Sequence, residues 1–319
     1  MRLGVCTSVY ADLPLEAACA KFSEYNIKNL EIYSGENNNH LNVGKLLKES
    51  KELERVRGIL ETYDMTIGSL NAAGNPVHPD KEIREKARKG FSDTVRLAEK
   101  MGIHTVTVFS GTPGGCKGDM SPNWVTCPWP GEYLDILKYQ WEDVLIPYWE
   151  EAARFAGEYG VTQIAFEMHP GFCVYNPETL LRLRTVVGPS IGANLDPSHL
   201  LWQGMDILEV IAQLRDCIFS VHAKDVFVNN RQIRKNGVND GKHYSYIQDR
   251  SWTFRTVGYG NGETFWKNFI SGLKMTGYDG PVNIEHEDML LSREEGLSKA
   301  ADFLDKLLIK EKPDEMWWA

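Results

Sequence analysis

The sequence predicts an α/β fold, a single (β/α)8 TIM barrel domain spanning residues 1–319. Short apolar segments alternate with longer amphipathic segments along the whole chain, which is typical of βαβ units around a parallel sheet. The alternation runs through eight rounds, and no linker or shift in composition divides it. The first strand is followed by SVYADLPLE and not by the glycine-rich phosphate turn of many open, doubly wound sheets. A closed barrel is therefore favoured.

The predicted strands are brief and rich in Val, Ile, Leu or Phe. They are Leu3 to Thr7, Leu30 to Tyr33, Ile67 to Leu70, Thr105 to Phe109, Gln163 to Glu167, Ile191 to Asn194, Ile218 to His222, and Val282 to Glu285. The segments between them carry apolar residues at helical spacing. The clearest predicted helices are Pro14 to Tyr25, Glu82 to Met101, Trp141 to Tyr159 and Leu180 to Val187.

Composition and charge place the chain among ordinary globular proteins. Of its 319 residues, 42% are hydrophobic and 25% are charged, so a large core is available. The formal net charge of -9 argues against a nucleic-acid partner, because binding to the phosphate backbone requires clustered Lys and Arg. A small molecule that is neutral, or that binds with the help of a cation, fits this charge better.

The sequence also predicts a cytoplasmic protein without a membrane partner. The first residues, MRLGVCTSVY, lack the long apolar segment and the small-residue cleavage site of a signal peptide. The longest apolar runs fall well short of the ~20 residues that a membrane-spanning helix needs. Six cysteines lie far apart without a CxxC pair, so we expect reduced thiols and neither disulfides nor a zinc ribbon.

Two connections are unusually long for a barrel, Ser110 to Leu134 after strand four and Ala223 to Glu263 after strand seven. Both follow the carboxyl ends of strands, where the loops of this fold build the active site. We expect them to form the walls of a site or its lid. In the segment NWVTCPWPGEY, two interpretations of Trp124 and Trp129 stand equal: contact with substrate, or burial against the barrel rim or another subunit.

Exposed tryptophans elsewhere point to contacts between subunits. The chain closes with EMWWA, which places Trp317 and Trp318 next to its end. Exposed indole rings are usually covered by a partner surface. We therefore expect an oligomer.

Four strands end in a side chain that can bind a metal. The segments IAFE, GANLD, FSVH and VNIE end at Glu167, Asp196, His222 and Glu285. Any one of them alone is better explained by pairing with a nearby Lys or Arg, but four at the mouth of one barrel favour a shared site. Three carboxylates and one imidazole suit a hard or borderline ion. We expect one divalent ion, Mn²⁺ foremost, with Mg²⁺ or Co²⁺ as alternatives, while the ligand types also permit zinc.

Residues that follow these strand ends are candidates for substrate binding and catalysis. His199, three residues after Asp196, is a candidate substrate contact, outer partner or extra ligand. For His169, a general acid/base role and a capping role in the following Pro-Gly turn stand equal. Lys224 is a candidate for stabilising an oxyanion, and Asp225 for orienting another group.

His78, Asn71 and His286 are weaker candidates for the site. Asn71, after strand three, and Trp124, in the first long connection, are candidate substrate contacts. Strand alternation after the last barrel strand turns His286 outward and returns Glu287 to the side of the site.

Five motifs resemble the sugar phosphate isomerase/epimerase, or xylose isomerase-like, barrel superfamily, which also includes endonuclease IV. They are SLNAAGNPVHPD, FEMHPG, NLDPSH, VHAKD and YDGPVNIEHED, and the resemblance covers nearly the whole chain. It implies that Glu167, Asp196, His222 and Glu285 occupy the positions of the family's metal ligands. In family epimerases the glutamates that match Glu167 and Glu285 also move the proton, which makes both candidate catalytic residues here.

The ligand set is compatible with three reactions of a keto-sugar. A divalent ion can stabilise the enediolate that forms when a C–H proton leaves beside a carbonyl. Return of the proton to the same carbon gives an epimerase, return to the next carbon gives an isomerase, and loss of a β substituent gives a lyase. A phosphodiesterase like endonuclease IV is disfavoured, because strand four ends in VFSG, with Ser110 where that enzyme class would have an imidazole, and because the chain is acidic.

A closer resemblance adds weight to the lyase among these three reactions without deciding between them. FEMHPGFCVYN, NWVTCPWP and FRTVGYG resemble the catalytic (alpha) subunits of bacterial C-glycoside deglycosidases, which eliminate the aglycone from 3-keto glycosides. This resemblance implies His169 as the base, a keto-glycoside as the substrate and a small β-rich partner subunit. We expect a sugar isomerase or epimerase first, with this lyase as the alternative and a non-catalytic sugar-binding barrel as the remote one.

Overall fold

Eight parallel strands close into a barrel in the computed structural model, which describes residues 1–35 and 38–318. The strands are β1 (Arg2–Cys6), β2 (Asn29–Tyr33), β3 (Thr66–Asn71), β4 (Thr105–Val108), β5 (Gln163–Glu167), β6 (Ile191–Leu195), β7 (Ile218–Ala223) and, after a hairpin, β10 (Pro281–Ile284). β1 pairs with β2 on one side and with β10 on the other, which closes the ring. The predicted fold class is confirmed, and each predicted strand boundary lies within one residue of the observed one.

Helices surround the barrel, and the longer ones pack apolar residues against it. They are α1 (Leu15–Glu24), α2 (Val43–Leu46), α3 (Ser50–Thr62), α4 (Lys81–Met101), α5 (Glu132–Lys138), α6 (Ile146–Glu158), α7 (Pro177–Val187), α8 (Pro197–Leu201), α9 (Ile207–Leu214), α10 (Asn230–Asn236), α11 (Glu263–Met275) and α12 (Arg293–Leu307). Local signals set their ends: Asp80 caps the first turn of α4, and Gly102 ends it with a left-handed φ of 70°. No helix within the described ranges is both long and apolar enough to cross a membrane.

The helical segment after the first long connection is longer than predicted. It begins at Glu132, nine residues before the predicted start at Trp141, and reaches α6 through a π-helical turn over Tyr139–Leu145. Pro147, near the start of α6, lacks an N–H group and cannot continue the hydrogen-bond pattern of an α-helix. The wider turn just before it accommodates that missing donor.

The second long connection contains structure that the sequence did not predict. β8 (Asp225–Val228) and β9 (Trp252–Arg255) form an antiparallel hairpin that follows directly from β7. The apolar side of the hairpin forms a small core that is separate from the main one. This small core contains Trp202, Val226, Trp252 and Phe254. The hairpin thus provides a packed wall, not an open loop, at the carboxyl end of the barrel.

Candidate metal centre and active site

The four predicted ligands converge at the carboxyl end of the barrel. Glu167 ends β5, Asp196 follows β6, His222 lies in β7, and Glu285 follows β10. One ligand-capable atom from each lies within 4.8 Å of the others. Nδ1 of His222 is 3.2 Å from Oε2 of Glu167 and 3.2 Å from Oε2 of Glu285. Parallel strands aim their carboxyl ends at one opening, which explains why residues far apart in sequence meet here.

The cluster fits a divalent cation by its chemistry. Three carboxylates within one small buried volume repel each other unless positive charge offsets them. Oδ2 of Asp196 is buried and receives no well-directed hydrogen bond, although Nζ of Lys224 lies 3.0 Å away. A buried acceptor without such a donor is costly, and a cation would satisfy it. Oxygen and imidazole nitrogen donors suit Mn²⁺, Mg²⁺, Co²⁺ or Zn²⁺.

His199 holds one of the carboxylates from outside the cluster. It lies in α8, is buried, and its Nε2 donates a hydrogen bond to Oε1 of Glu167 over 3.0 Å. The same nitrogen is 3.5 Å from Oδ2 of Asp196. The hairpin also contacts the imidazole, since the ring centroid of Phe254 lies 5.3 Å from that of His199 in an edge-to-face arrangement. The predicted histidine therefore reaches the centre as a partner of its carboxylates.

Lys224 brings a buried cation to the same centre. Nζ lies 3.0 Å from Asp196 Oδ2, 2.7 Å from Glu285 Oε2 and 3.2 Å from Glu287 Oε2. It also lies over the ring of Phe254 at 4.7 Å from the centroid. Burial lowers the pKa of Lys224, but the three carboxylates outweigh burial and hold the pKa well above its ordinary value. The lysine is a permanent positive charge beside the ligands.

The two glutamates stay ionised despite their burial. Burial raises the pKa of Glu167, but in the metal-free protein hydrogen bonds from His199 and His222 hold the pKa well below its ordinary value. Burial likewise raises the pKa of Glu285, but Lys224 and His222 lower it to about 2. Both residues are therefore carboxylates at neutral pH, able to bind a cation or to accept a proton.

A further buried carboxylate lies deeper in the barrel and was missed from the sequence. Glu31, in β2, accepts hydrogen bonds from the side chains of Ser69 (3.0 Å), Asn71 (2.9 Å) and Thr107 (3.0 Å). Its Oε1 is also 3.1 Å from Nε2 of His222. The available signal was a glutamate inside the apolar strand NLEIY, where a side chain pointing into the barrel must find polar partners.

His169 lies beside the centre among aromatic rings. Its ring centroid is 4.1 Å from that of His199, and the stacked pair of Phe109 and Phe172 meets it edge to face. Nδ1 donates to the carbonyl of Pro170 over 2.6 Å, which leaves Nε2 as the free nitrogen. Burial and the neighbouring His199 lower the pKa of His169 to about 3, so the imidazole is neutral at pH 7.

Comparison with known families identifies the fold by sequence as well as by shape. The family model described as "Xylose isomerase-like TIM barrel" matches residues 20–307. The chain belongs to this family. The strands that carry the four clustered residues all lie inside the matched region.

Relatives of this xylose isomerase-like barrel match nearly its whole length. It is 38% identical to the protein YfiH of Bacillus subtilis (strain 168), described as uncharacterized, and the match covers 97% of this chain and 99% of YfiH. The crystal structure of the IolI protein with a zinc atom matches at a TM-score of 0.67 and 17% identity, over 98% of this chain and 100% of IolI. The structure of L-ribulose 3-epimerase matches at a TM-score of 0.63 and 14% identity, over 96% of this chain and 94% of the epimerase chain.

Asp225, another predicted site residue, faces away from the metal centre of this xylose isomerase-like barrel. Its Oδ2 accepts hydrogen bonds from the backbone N–H groups of Gly258 (2.9 Å), Gly260 (3.1 Å) and Asn261 (2.9 Å), and from the indole of Trp266 (3.2 Å). Its Oδ1 accepts from the amide of Asn261. These donors occupy the carboxylate, which ties the hairpin to the segment before α11.

Two other predicted substrate contacts bind groups of the protein itself. The amide of Asn71 donates to Glu31, and its carbonyl oxygen accepts the N–H of Ala73 over 2.8 Å. Trp124 is half-buried and meets Tyr175 edge to face at 5.5 Å, which packs the first long connection against the segment after β5. Their contact with a substrate stays a prediction.

The residues after Glu285 alternate as the sequence predicts. His286 turns outward and packs closely against Gly296 of α12. Any side chain at that position would clash with the imidazole, since a Cβ there would lie 2.1 Å from the ring. Glu287 returns to the side of the site and accepts a hydrogen bond from Lys224.

Proposed function

We propose that the protein is a sugar isomerase or epimerase that depends on one divalent metal and forms an enediolate from a keto-sugar. The observation that carries the proposal is the placement of Glu167 and Glu285, each with a carboxylate oxygen 3.2 Å from the same nitrogen of His222. Two groups that can accept a proton therefore flank the centre where the ion and the substrate carbonyl would meet.

The chain supplies the proton-transfer groups. A divalent ion, when bound, supplies the Lewis acidity that makes a C–H group beside a carbonyl acidic. One of the two glutamates takes the proton from carbon, and the proton returns to carbon from the same or the opposite carboxylate. The depressed pKa values of Glu167 and Glu285 keep both carboxylates in the accepting form.

The neighbouring cation and imidazole prepare these bases. His199 holds Oε1 of Glu167, which fixes the orientation of that carboxylate. Lys224 holds Oε2 of Glu285 and, because the ammonium has three N–H groups, can also donate to the oxygen on which negative charge develops. Phe254 of the hairpin lies over Lys224, 4.7 Å from Nζ to the ring centroid, and would limit access of water to this charge from that side.

The family and its relatives support the proposal. L-ribulose 3-epimerase shares the barrel, and the IolI protein holds a zinc atom within the same fold. Manganese remains our expectation for this chain because three of the four ligands are carboxylates. Zinc belongs in every metal panel as the competing ion.

Exchange of substrate hydrogen with solvent tests the proposal whichever sugar the protein uses. Metal-loaded protein is incubated in D₂O with keto-pentoses and keto-hexoses, and deuterium on carbon is measured by NMR. We expect exchange into at least one sugar, which is lost in Glu167→Gln and Glu285→Gln. The exposed Glu263→Gln serves as the control, since its carboxylate pairs with Lys267 on the surface. An absence of exchange in every sugar, with metal bound, would overturn the proposal.

Elimination from a 3-keto glycoside is the second candidate, and the position of His169 favours it. The imidazole is half-buried and neutral, its ring centroid is 4.1 Å from that of His199, and Nε2 is free to accept a proton. Release of a phenolic aglycone from a 3-keto C-glycoside is the test, run with and without a small β-rich partner subunit. Loss of that release in His169→Gln, with exchange into simple keto-sugars absent, would favour the lyase over the isomerase.

A further inference from the structure

Glu31 is a carboxylate buried inside the barrel, and its contact with the metal centre is through His222. Its side chain is 1% exposed, in the middle of β2. In the described part of the chain, Glu31 forms no ion pair with a lysine or an arginine. The basic side chain that it contacts there is His222. Such burial is costly, so the group requires a compensating role.

The surroundings of Glu31 fix where its oxygens point. Ser69 and Asn71 of β3 and Thr107 of β4 donate to the carboxylate at 2.9 to 3.0 Å. All three donors come from rigid barrel strands, and all three are uncharged. They hold Oε1 at 3.1 Å from Nε2 of His222.

The two nitrogens of His222 face different carboxylates. Nε2 faces Glu31, with the sulfur of Cys6 at 3.4 Å, while Nδ1 faces Glu167 and Glu285. The side-chain amide of Asn194 lies close to both nitrogens, 3.0 Å from Nε2 and 3.3 Å from Nδ1, and so does not distinguish them. A hydrogen bond from one imidazole nitrogen determines which nitrogen keeps the proton and which offers its lone pair to a metal.

We propose that Glu31 is a positioning residue that keeps the proton of His222 on Nε2, so that Nδ1 binds the divalent ion. The inference rests on the metal centre of the proposed function and adds to it the residue that orients a ligand. It does not depend on which sugar the protein uses.

A second ion between Cys6, Glu31 and His222 is the competing explanation, because their ligand-capable atoms also lie within 4.8 Å of one another. An ion there would have to displace the donors that already occupy Glu31. Ser69, Asn71 and Thr107 would then be buried without an acceptor, which is costly. The hydrogen-bonded arrangement is therefore favoured.

Direct observation of the imidazole provides the first test. Protein labelled with ¹⁵N at histidine is loaded with Zn²⁺, which is diamagnetic, and its ring nitrogens are assigned with the help of His222→Gln. We expect a proton on Nε2 of His222 and a metal-bound Nδ1. A proton on Nδ1, or two bound ions per chain by metal analysis, would overturn the proposal.

Metal affinity provides the second test and separates positioning from folding. Glu31→Asp keeps the charge but withdraws the carboxylate by one methylene, and Glu31→Gln keeps the length but removes the charge. We expect both to weaken Zn²⁺ binding by about 10- to 100-fold, while Ser69→Ala, which loses one uncharged donor to Glu31 but no contact with His222, changes it by less than about threefold. Equal losses in all three variants, or unchanged affinity in folded Glu31 variants, would contradict the role.

The two proposals fail in different ways. Metal binding with the expected tautomer but without exchange of sugar hydrogen would overturn the proposed function and leave the role of Glu31 intact. Exchange of sugar hydrogen with the proton on Nδ1 would do the reverse.

Discussion

Nζ of Lys224 lies 2.7 Å from Oε2 of Glu285, inside the set of residues that we assign to the metal. The lysine side chain is 2% exposed, and it also contacts Asp196 and Glu287. It therefore offsets part of the negative charge that a divalent ion would otherwise meet. We expect a buried lysine in this position to weaken metal binding and to provide a donor to the substrate at the same time.

Removing this lysine should separate metal affinity from activity. At an effective dielectric constant of about 20, the interaction energy of two unit charges about 4 Å apart is about 4 kcal/mol. We expect Lys224→Met to bind Mn²⁺ about tenfold more tightly by calorimetry, since relaxation absorbs most of that energy, and to lose solvent exchange into sugar. Lys242→Met, which removes a half-exposed partner of Asp240, is the control. Weaker Mn²⁺ binding in Lys224→Met would show that the lysine does not compete with the ion.

His199 should control the protonation of Glu167. Because its hydrogen bond depresses the pKa of that carboxylate, His199→Ala raises the pKa, and the acidic limb of the exchange-rate profile moves to higher pH. We also expect metal affinity to fall by about tenfold. His104→Ala, on the exposed surface, should leave both quantities unchanged. An unshifted acidic limb in His199→Ala would mean that Glu167 is not the group that titrates in the reaction.

Asp225 should prove important for the hairpin. In Asp225→Asn at least one of the N–H groups that the carboxylate accepts loses its acceptor, and we expect the free energy of unfolding to fall by about 3 kcal/mol. Hydrogen exchange should increase first in β8 and β9. Asp64→Asn is the matched control, because the side chain of Asp64 is 91% exposed. Unchanged stability together with lost sugar binding would restore the interpretation of Asp225 as a substrate contact.

The metal-free protein should be sensitive to acid through its depressed carboxylates. In the unfolded chain a glutamate has a pKa of about 4.3, whereas Glu285 in the folded chain has a pKa of about 2. The stability that this difference contributes is present above about pH 4.3 and is lost as the pH falls toward about 2. We expect urea denaturation of the metal-free protein to show this loss and Glu285→Gln to show a smaller slope in the same window. Equal slopes would contradict the depressed pKa.

Much of the fold could be predicted because barrel strands are short apolar segments bounded by polar residues. The hairpin was missed because its strands lie within a connection that is otherwise polar, and their alternation is only four residues long. DVFV and WTFR become recognisable as a pair once Val226 and Phe254 lie opposite each other. Long-range pairing of this kind leaves little trace in local periodicity.

The candidate site was predictable where strand ends carry charge and not where side chains point inward from mid-strand. Glu167, Asp196, His222 and Glu285 all lie at carboxyl ends, so the barrel geometry alone brings them together. Glu31 lies inside a strand, and its role depends on Ser69, Asn71 and Thr107 in neighbouring strands. The opposite directions of Lys224 and Asp225 follow from strand alternation after His222, although both were expected at the site.

A crystal of the protein grown with Mn²⁺, with diffraction recorded at a wavelength where manganese scatters anomalously, would show whether the four residues bind the ion. We expect one strong anomalous peak per chain, within about 2.0 to 2.6 Å of Glu167, Asp196, His222 and Glu285. A fully folded chain with no peak at these four residues, or with its peak elsewhere, would contradict that expectation.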